Sequence, residues 1–249
     1  MNIPPILMLL LLGHVLGDFY FQWDSMAQNK NNQQKWLLVH GGIYMLCMAA
    51  ILFIGAALSW YWLLVVLVAG IVHLAVDWLK KHISNKKFII DQLLHITTFV
   101  VLWRILGEYL NVHEFVLRDF ERLQTNIFLV VLGLLWILKP VGVLIEQGDI
   151  WDFNKRKDTA TPENNHTTPT DNQKGAGKMI GYLERVIVFF LLLNGQFAAI
   201  GFVLAAKSAI RFPEITKSEN TSSLVEFYII GTLLSMTSVF AIAFLLGLI

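Results

Sequence analysis

The stretch ILMLLLLGHVLGDFYF, residues 6–21, combines two properties that conflict with each other. It is apolar over nearly the length of a membrane-spanning helix, which needs about 20 predominantly apolar residues. Yet His14 and Asp18 lie inside it, four residues apart, where an ionisable side chain is costly and usually functional. Both properties recur further along the chain, and together they predict the fold and the site.

The composition of the whole chain favours a membrane protein. Of the 249 residues, 56% are hydrophobic and only 15% are charged, whereas soluble domains carry about 25% charged residues. This balance excludes a soluble enzyme, and the net charge of +1 excludes a polybasic nucleic-acid-binding protein. The single cysteine, Cys47, excludes a disulfide framework and a zinc site built from cysteines. We expect the lipid bilayer to be the main partner, with no nucleic acid bound.

Seven apolar windows are long enough to span a bilayer, and they predict an all-α polytopic helix bundle with about seven transmembrane helices. Runs of this length do not alternate as the strands of a membrane β-barrel do. The first run lacks a basic leading region and a small-x-small cleavage motif, so we interpret it as a retained helix rather than a signal peptide. The predicted spans are 4–23, 36–57, 60–80, 88–110, 126–146, 180–206 and 225–248.

One long polar segment divides the predicted bundle. Residues 147–178 are rich in Asn, Thr, Pro and Gly and have too few apolar side chains to form a packed core. The sequence therefore predicts a five-helix membrane domain over residues 1–146, a disordered linker over 147–178 and a two-helix membrane part over 179–249.

The loops differ in their content of Lys and Arg, which indicates sidedness. The first, third and fifth loops carry more of these residues than the others, and basic loops lie in the cytoplasm. This predicts an N terminus outside, with the linker and the C terminus in the cytoplasm. Lys207 and Arg211 fall on the opposite side and count against the assignment.

Histidines and aspartates recur in the first four predicted spans. The first and third spans share the spacing H-x-x-x-D and the fourth reverses it, so that each pair lies on one helix face. Because successive spans run antiparallel, all of these groups fall in the same leaflet, close to the lysine-rich side. They are His14, Asp18, His40, His73, Asp77, Asp91 and His95.

This set predicts a metal site, because imidazole and carboxylate ligands suit zinc, manganese or iron. Seven groups exceed one tetrahedral site and would serve two ions, or one ion with supporting residues. The alternative is polar packing between helices, worth about 1 kcal/mol for each contact. The predicted ligands are His14, Asp18, His73, Asp77, Asp91 and His95, with His40 as a ligand or a general base.

Glu184, early in the sixth predicted span, is a second candidate catalytic residue because it lies on the same side as the cluster. Anchoring at the membrane interface is an equally good interpretation of Glu184, and we prefer it for Lys207 and Arg211. Gln92 adjoins Asp91 and is placed to orient a ligand or a substrate.

Two classes of function make use of such a cluster. The first is a membrane-embedded, metal-dependent hydrolase that acts on a lipid or a membrane-attached substrate. The second is a transporter or channel for divalent cations or protons, and a membrane scaffold or sensor is the remaining alternative. The sequence contains no G-x-S-x-G, P-loop, H-E-x-x-H or dinucleotide-binding motif.

Four motifs, GHVLGDFYFQ, HGGIY, HLAVDWLKK and FIIDQLLHI, resemble the bacterial membrane-protein family Domain of Unknown Function 3307. The segments IGYLERVIVF, AAKSAIRF and EFYIIGTLLS are similar to the C-terminal part of many members. The resemblance implies a multi-pass protein of the bacterial inner membrane and implies no particular activity. More distantly, the polar helices are similar to bacterial membrane proteins described as metal-dependent hydrolases.

Overall fold

The computed structural model describes residues 4–29, 33–55, 60–79, 87–109, 123–147, 171–216 and 221–249, and every regular element within these ranges is helical. The predicted all-α fold is therefore confirmed for the described part of the chain. In chain order the elements are α1 (Pro5–Val15), a π-helical turn (Leu16–Tyr20), α2 (Asp24–Asn29), α3 (Gln34–Gly55), α4 (Trp60–Leu79), α5 (Lys87–Tyr109), α6 (Leu123–Gln147), α7 (Asp171–Leu193), α8 (Phe197–Thr216) and α9 (Thr221–Leu245).

Five segments of these helices are long and apolar enough to cross a membrane, and they agree with five of the seven predicted spans. They are Gln34–Ile54, Tyr61–Leu79, Phe88–Ile105, Ile127–Glu146 and Tyr228–Leu245. Two further apolar helical segments, Ile6–Tyr20 and Phe197–Ile210, are shorter. Within the described residues, the predicted count of seven full-length spans is therefore not confirmed.

The predicted span 180–206 is wrong, because the chain turns in the middle of it. Gly195 adopts a left-handed φ of 67°, which a residue without a Cβ accepts readily. Its N–H donates to the Leu192 carbonyl at 3.0 Å, and the next N–H, of Gln196, donates to the Leu191 carbonyl at 2.8 Å. These two bonds form the Schellman motif that commonly ends a helix.

The two helices that flank this turn form an antiparallel hairpin. They contact each other, and Glu184 of α7 forms an ion pair with Lys207 of α8. These two residues lie at similar distances along the chain on either side of Gly195, as antiparallel helices require. An unbroken span would have placed Glu184 and Lys207 at opposite ends.

The chain divides into two compact units, residues 1–132 and 133–249, so the division comes earlier than the predicted domain boundary at residue 146. The last part of the predicted linker, residues 171–178, is helical, because α7 begins at Asp171 and its polar residues extend the helix beyond the apolar stretch. Residues 148–170 lie outside the described residues, so a disordered linker there stays a prediction.

In the first unit, α1, α3, α4 and α5 pack around one apolar core, and glycines let the helices approach closely. A Cβ on Gly13 would lie 2.8 Å from the sulfur of Met48, and one on Gly17 would lie 3.0 Å from Cδ2 of Tyr44. Small residues at such contacts are typical of packed membrane helices. The buried core comprises Ile6, Leu9, Leu10, Tyr44, Met48, Leu52, Trp62, Val65, Ala69 and Phe99.

The outer surface of this unit is apolar, whereas its interior contains polar side chains. Leu46 of α3 and Leu63 of α4 are 69% and 72% exposed, while the histidines of the same two helices are buried. Apolar patches of this kind are rarely exposed to water, and intramembrane ionisable residues face the interior of a bundle. The arrangement supports helices that are surrounded by lipid.

Candidate metal centre

Five segments of the first unit bring the seven predicted histidines and aspartates into one cluster, together with Gln92. The whole set is buried, and its most exposed member, Asp18, is only 8% exposed. The members are His14 from α1, Asp18 from the π-helical turn, His40 from α3, His73 and Asp77 from α4, and Asp91, Gln92 and His95 from α5. We call this set the His/Asp cluster.

At one side of the His/Asp cluster, two imidazoles and two carboxylates converge. The Nε2 atoms of His40 and His73 are 2.9 Å apart. Asp18 Oδ1 lies 3.2 Å from the first of these nitrogens and 3.8 Å from the second. Asp77 Oδ2 lies 3.4 Å and 3.7 Å from the same two nitrogens. His40 is therefore a candidate metal ligand, as His73 is.

A second group of candidate ligands shares Asp18 with the first. Ligand atoms of Asp18, Asp91 and His95 all lie within 4.8 Å of one another. His95 Nε2 is 3.5 Å from Asp91 Oδ1, one helical turn away. This nitrogen is buried and makes no hydrogen bond within the ranges that the structure describes. His95 Nε2 is therefore a candidate metal ligand.

Gln92 holds parts of the cluster together. Its side-chain Nε2 donates to Asp18 Oδ2 at 3.4 Å and to Asp91 Oδ2 at 3.3 Å. Its Oε1 accepts from His14 Nε2 at 3.1 Å. The spacing of His14 and Asp18 predicted that they lie on one helix face, and the structure also connects them through Gln92. His14 is part of the cluster but belongs to neither group of three candidate ligands.

The π-helical turn explains why the first H-x-x-x-D motif differs from the second. The N–H of Phe21 donates to the carbonyl of Leu16 at 2.9 Å, five residues back instead of four. This wider turn, Leu16–Tyr20, carries Asp18 and alters its direction relative to His14. By contrast, α4 is a regular helix through His73 and Asp77. π-Helical turns occur frequently at functional sites.

Tyr44 is a member of the site that the sequence did not single out. Its ring stacks on the imidazole of His73, with centroids 3.8 Å apart and planes inclined by 4°. Its hydroxyl is buried and makes no hydrogen bond within the described residues. The signal in the sequence is the motif HGGIY, which places Tyr44 one helical turn after His40 on the same face.

Glu184, the second predicted catalytic residue, lies in the other unit. It is partly buried and forms its ion pair with Lys207, whose Nζ also lies 5.6 Å from the centre of the Tyr228 ring. These contacts give Glu184 a structural role. Its catalytic role stays a prediction that the described contacts neither require nor test.

The chemistry of the His/Asp cluster fits a bound cation. Three carboxylates are buried together, and the cluster's only groups that can carry positive charge are its imidazoles. Burying carboxylates without compensation is costly. For metal–ligand distances of about 2.0 Å, neighbouring ligand atoms in a tetrahedral site are about 3.3 Å apart. The spacings of 2.9–3.8 Å around His40 and His73 bracket this value.

The fold and the cluster define a class: a helical protein of membrane character with buried His and Asp side chains at metal-binding distances. Residues 6–123 match the family "Protein of unknown function (DUF3307)", and this match contains the whole His/Asp cluster. It confirms the family resemblance that the N-terminal motifs indicated. The similarity of the C-terminal segments lies outside the matched residues and stays a prediction. No curated protein and no solved structure gives a significant match.

Proposed function

We propose that the His/Asp cluster binds a divalent metal ion and that the protein is a membrane-embedded, metal-dependent hydrolase. The observation that carries this proposal is the convergence of His40 Nε2, His73 Nε2 and Asp18 Oδ1 at spacings of 2.9–3.8 Å. Imidazole and carboxylate ligands of this kind suit zinc, manganese or iron. From the family resemblance we assign the protein to the bacterial inner membrane.

The proposed chemistry follows from the donor set. A bound ion would supply a water molecule that is activated for attack at neutral pH. A carboxylate or imidazole of the same cluster would accept the proton from that water. Asp77 would help to hold the ion, because its Oδ2 lies 3.4 Å from His40 Nε2 and 3.7 Å from His73 Nε2. A site inside the helix bundle suits a lipid or a membrane-attached substrate.

The first experiment measures metal content in protein purified without chelator. We expect bound zinc, manganese or iron in the parent and a several-fold lower content in Asp77→Asn, which keeps the size of the side chain but loses the charge. Thr97→Ala is the matched control, because Thr97 is an exposed residue of α5 whose hydroxyl donates to the Leu93 carbonyl of the same helix at 2.7 Å. A parent that contains no metal, and gains none on incubation with these ions, removes the proposed centre.

The second experiment measures hydrolysis in reconstituted vesicles of phosphatidylethanolamine and phosphatidylglycerol. We expect metal-dependent release of headgroup or phosphate from the parent, little release from Asp77→Asn and normal release from Thr97→Ala. Metal bound without any release would reject hydrolysis of these lipids and leave the transport function to be tested in the same vesicles.

Transport is the second candidate function, and the burial of the cluster favours it. His14, Gln92, Asp18, His40 and His73 form a continuous series of close polar contacts inside the bundle. Such series carry protons or cations through membrane proteins. Vesicles loaded with a zinc- or pH-sensitive dye would then show flux through the parent that Asp77→Asn abolishes.

A further inference from the structure

Asp18 is the member that joins the two halves of the His/Asp cluster. Its Oδ1 faces the imidazoles of α3 and α4, at 3.2 Å from His40 Nε2 and 3.8 Å from His73 Nε2. Its Oδ2 faces α5, at 3.4 Å from Gln92 Nε2. Both groups of candidate metal ligands in the described residues contain Asp18. The two oxygens of one carboxylate are therefore directed to two different sets of ligands.

The second set has the features of a cation position of its own. His95 is only 2% exposed, and its Nε2 makes no hydrogen bond within the described part of the chain. Asp91 Oδ1 lies 3.5 Å from this nitrogen. The carboxylates of Asp91 and Asp18 lie close to this imidazole. Imidazole and carboxylate ligands together suit a divalent ion.

Two ions account for the number of ligands better than one. A tetrahedral ion takes four ligands, and the His/Asp cluster offers seven histidines and aspartates. In sites with two metals the ions lie about 3.5–4 Å apart, a separation that a single bridging carboxylate can span. The π-helical turn places Asp18 between α3 and α5, in contact with residues of both.

We infer that the His/Asp cluster is a binuclear centre in which Asp18 bridges two divalent cations, one held with His40, His73 and Asp77 and the other with Asp91 and His95. Gln92 is a positioning residue of this centre, because its Nε2 donates to Asp18 Oδ2 and Asp91 Oδ2 and so holds the second set in place. The inference rests on the proposed metal-dependent function and assigns a particular form to its site.

Manganese alone is the probe that tests this inference. The parent, stripped with chelator and reloaded with MnCl₂, should bind two ions for each chain. Its electron paramagnetic resonance spectrum should show the exchange coupling of two nearby ions. Asp91→Asn removes a carboxylate from the second position only, so it should retain one ion and give the six-line spectrum of isolated manganese. Asp18→Asn should lose both the coupling and at least one ion, whereas Thr97→Ala should match the parent.

The possible outcomes separate this inference from the proposed function. One ion in each parent chain, with a six-line spectrum, overturns the binuclear centre and leaves a mononuclear metal-dependent hydrolase. No bound manganese, zinc or iron in the parent overturns both. Two uncoupled ions also overturn the inference, because a carboxylate bridge couples the spins. The decisive measurements are made on the parent, so they do not depend on whether any variant folds.

Discussion

Both units of the chain bury charged side chains, but these side chains meet different partners. In the second unit, Glu184 pairs with Lys207. Arg185, which is 4% exposed, donates to Ser235 Oγ at 3.5 Å and to the Leu138 carbonyl at 3.3 Å. In the first unit, the imidazoles of His40 and His73 face each other, and the carboxylates of Asp18 and Asp77 lie close to His40.

The comparison shows that burial of charge alone does not identify a site. The ion pair of the second unit joins opposite charges, and a cation such as Arg185 is stabilised by oxygen atoms and by an aromatic face, here the ring of Tyr182 at 5.1 Å. The groups of the first unit are imidazoles and carboxylates whose ligand atoms lie at metal-binding distances from one another. The identity of the facing atoms, rather than their depth, distinguishes a candidate site from structural packing.

The largest expected difference between the units is their response to metal. An ion that binds only the folded state stabilises it by about 4 kcal/mol when its concentration is 1,000 times the dissociation constant. We expect stabilisation of this order in the parent and in Lys207→Met, and its loss in His73→Gln. Thermal unfolding in detergent, with and without zinc or manganese, measures the effect. Equal stabilisation of His73→Gln and the parent would place the metal elsewhere.

A smaller loss of stability is expected from a change at Gly17, which precedes Asp18 and lies close to Tyr44. In Gly17→Ala the new Cβ would lie 3.0 Å from Cδ2 and 3.1 Å from Cα of Tyr44, so Tyr44 must shift by a few tenths of an ångström. Overpacking of this kind costs about 1–3 kcal/mol, and metal affinity should fall with it. Gly42→Ala is the control, because its Cβ would meet no atom within 4 Å and alanine favours the helix. Similar unfolding curves for the two variants would contradict the close contact.

The ion pair of the second unit should contribute less to the free energy of unfolding. We expect a coupling energy of about 1 kcal/mol between Glu184 and Lys207, from unfolding of Glu184→Gln, Lys207→Met and the double variant. Metal content should not change, because the pair stabilises α7 against α8. If Glu184→Gln instead lowers metal content or hydrolysis at unchanged stability, the catalytic prediction for Glu184 is correct and its structural role is secondary.

The smallest change in stability is expected on removal of the Tyr44 hydroxyl. Its hydroxyl makes no hydrogen bond within the described residues, so Tyr44→Phe should change the stability by less than about 1 kcal/mol and leave the metal content unchanged. Tyr44→Leu, which removes the ring stacked on His73, should lower metal affinity. A loss of activity in Tyr44→Phe at normal metal content would instead show that the hydroxyl takes part in the reaction.

The sequence predicted the helices and the cluster from different kinds of information. Length and hydropathy were sufficient to predict five of the apolar helices. The cluster was predictable because four histidines lie at similar depths in antiparallel helices; they are His14, His40, His73 and His95. The direction of Asp18 was not predictable, because a π-helical turn depends on how α1 packs against α3. The stacking of Tyr44 on His73 likewise depends on the rotation of both helices about their axes.

The turn at Gly195 was missed for a different reason. A window average over residues 180–206 is dominated by its apolar side chains and hides a local signal, Asn194–Gly195, that ends a helix. Hydropathy reports the environment of a segment, whereas the backbone geometry at one residue determines whether the segment continues.

The turn at that single left-handed glycine also changes the predicted sidedness of the residues that follow it. A helical hairpin returns the chain to the face from which it entered, whether it crosses the lipid or only enters it. The positions of Lys207 and Arg211 along α8 then predict that the chain has returned to the lysine-rich side by these residues, so they no longer count against the predicted sidedness. A helix α9 that crosses the bilayer from this same face would place residue 249 opposite the linker, whereas the loop charges alone predicted both in the cytoplasm. Cysteines introduced at residue 249 and in the linker should then show opposite accessibility to labelling.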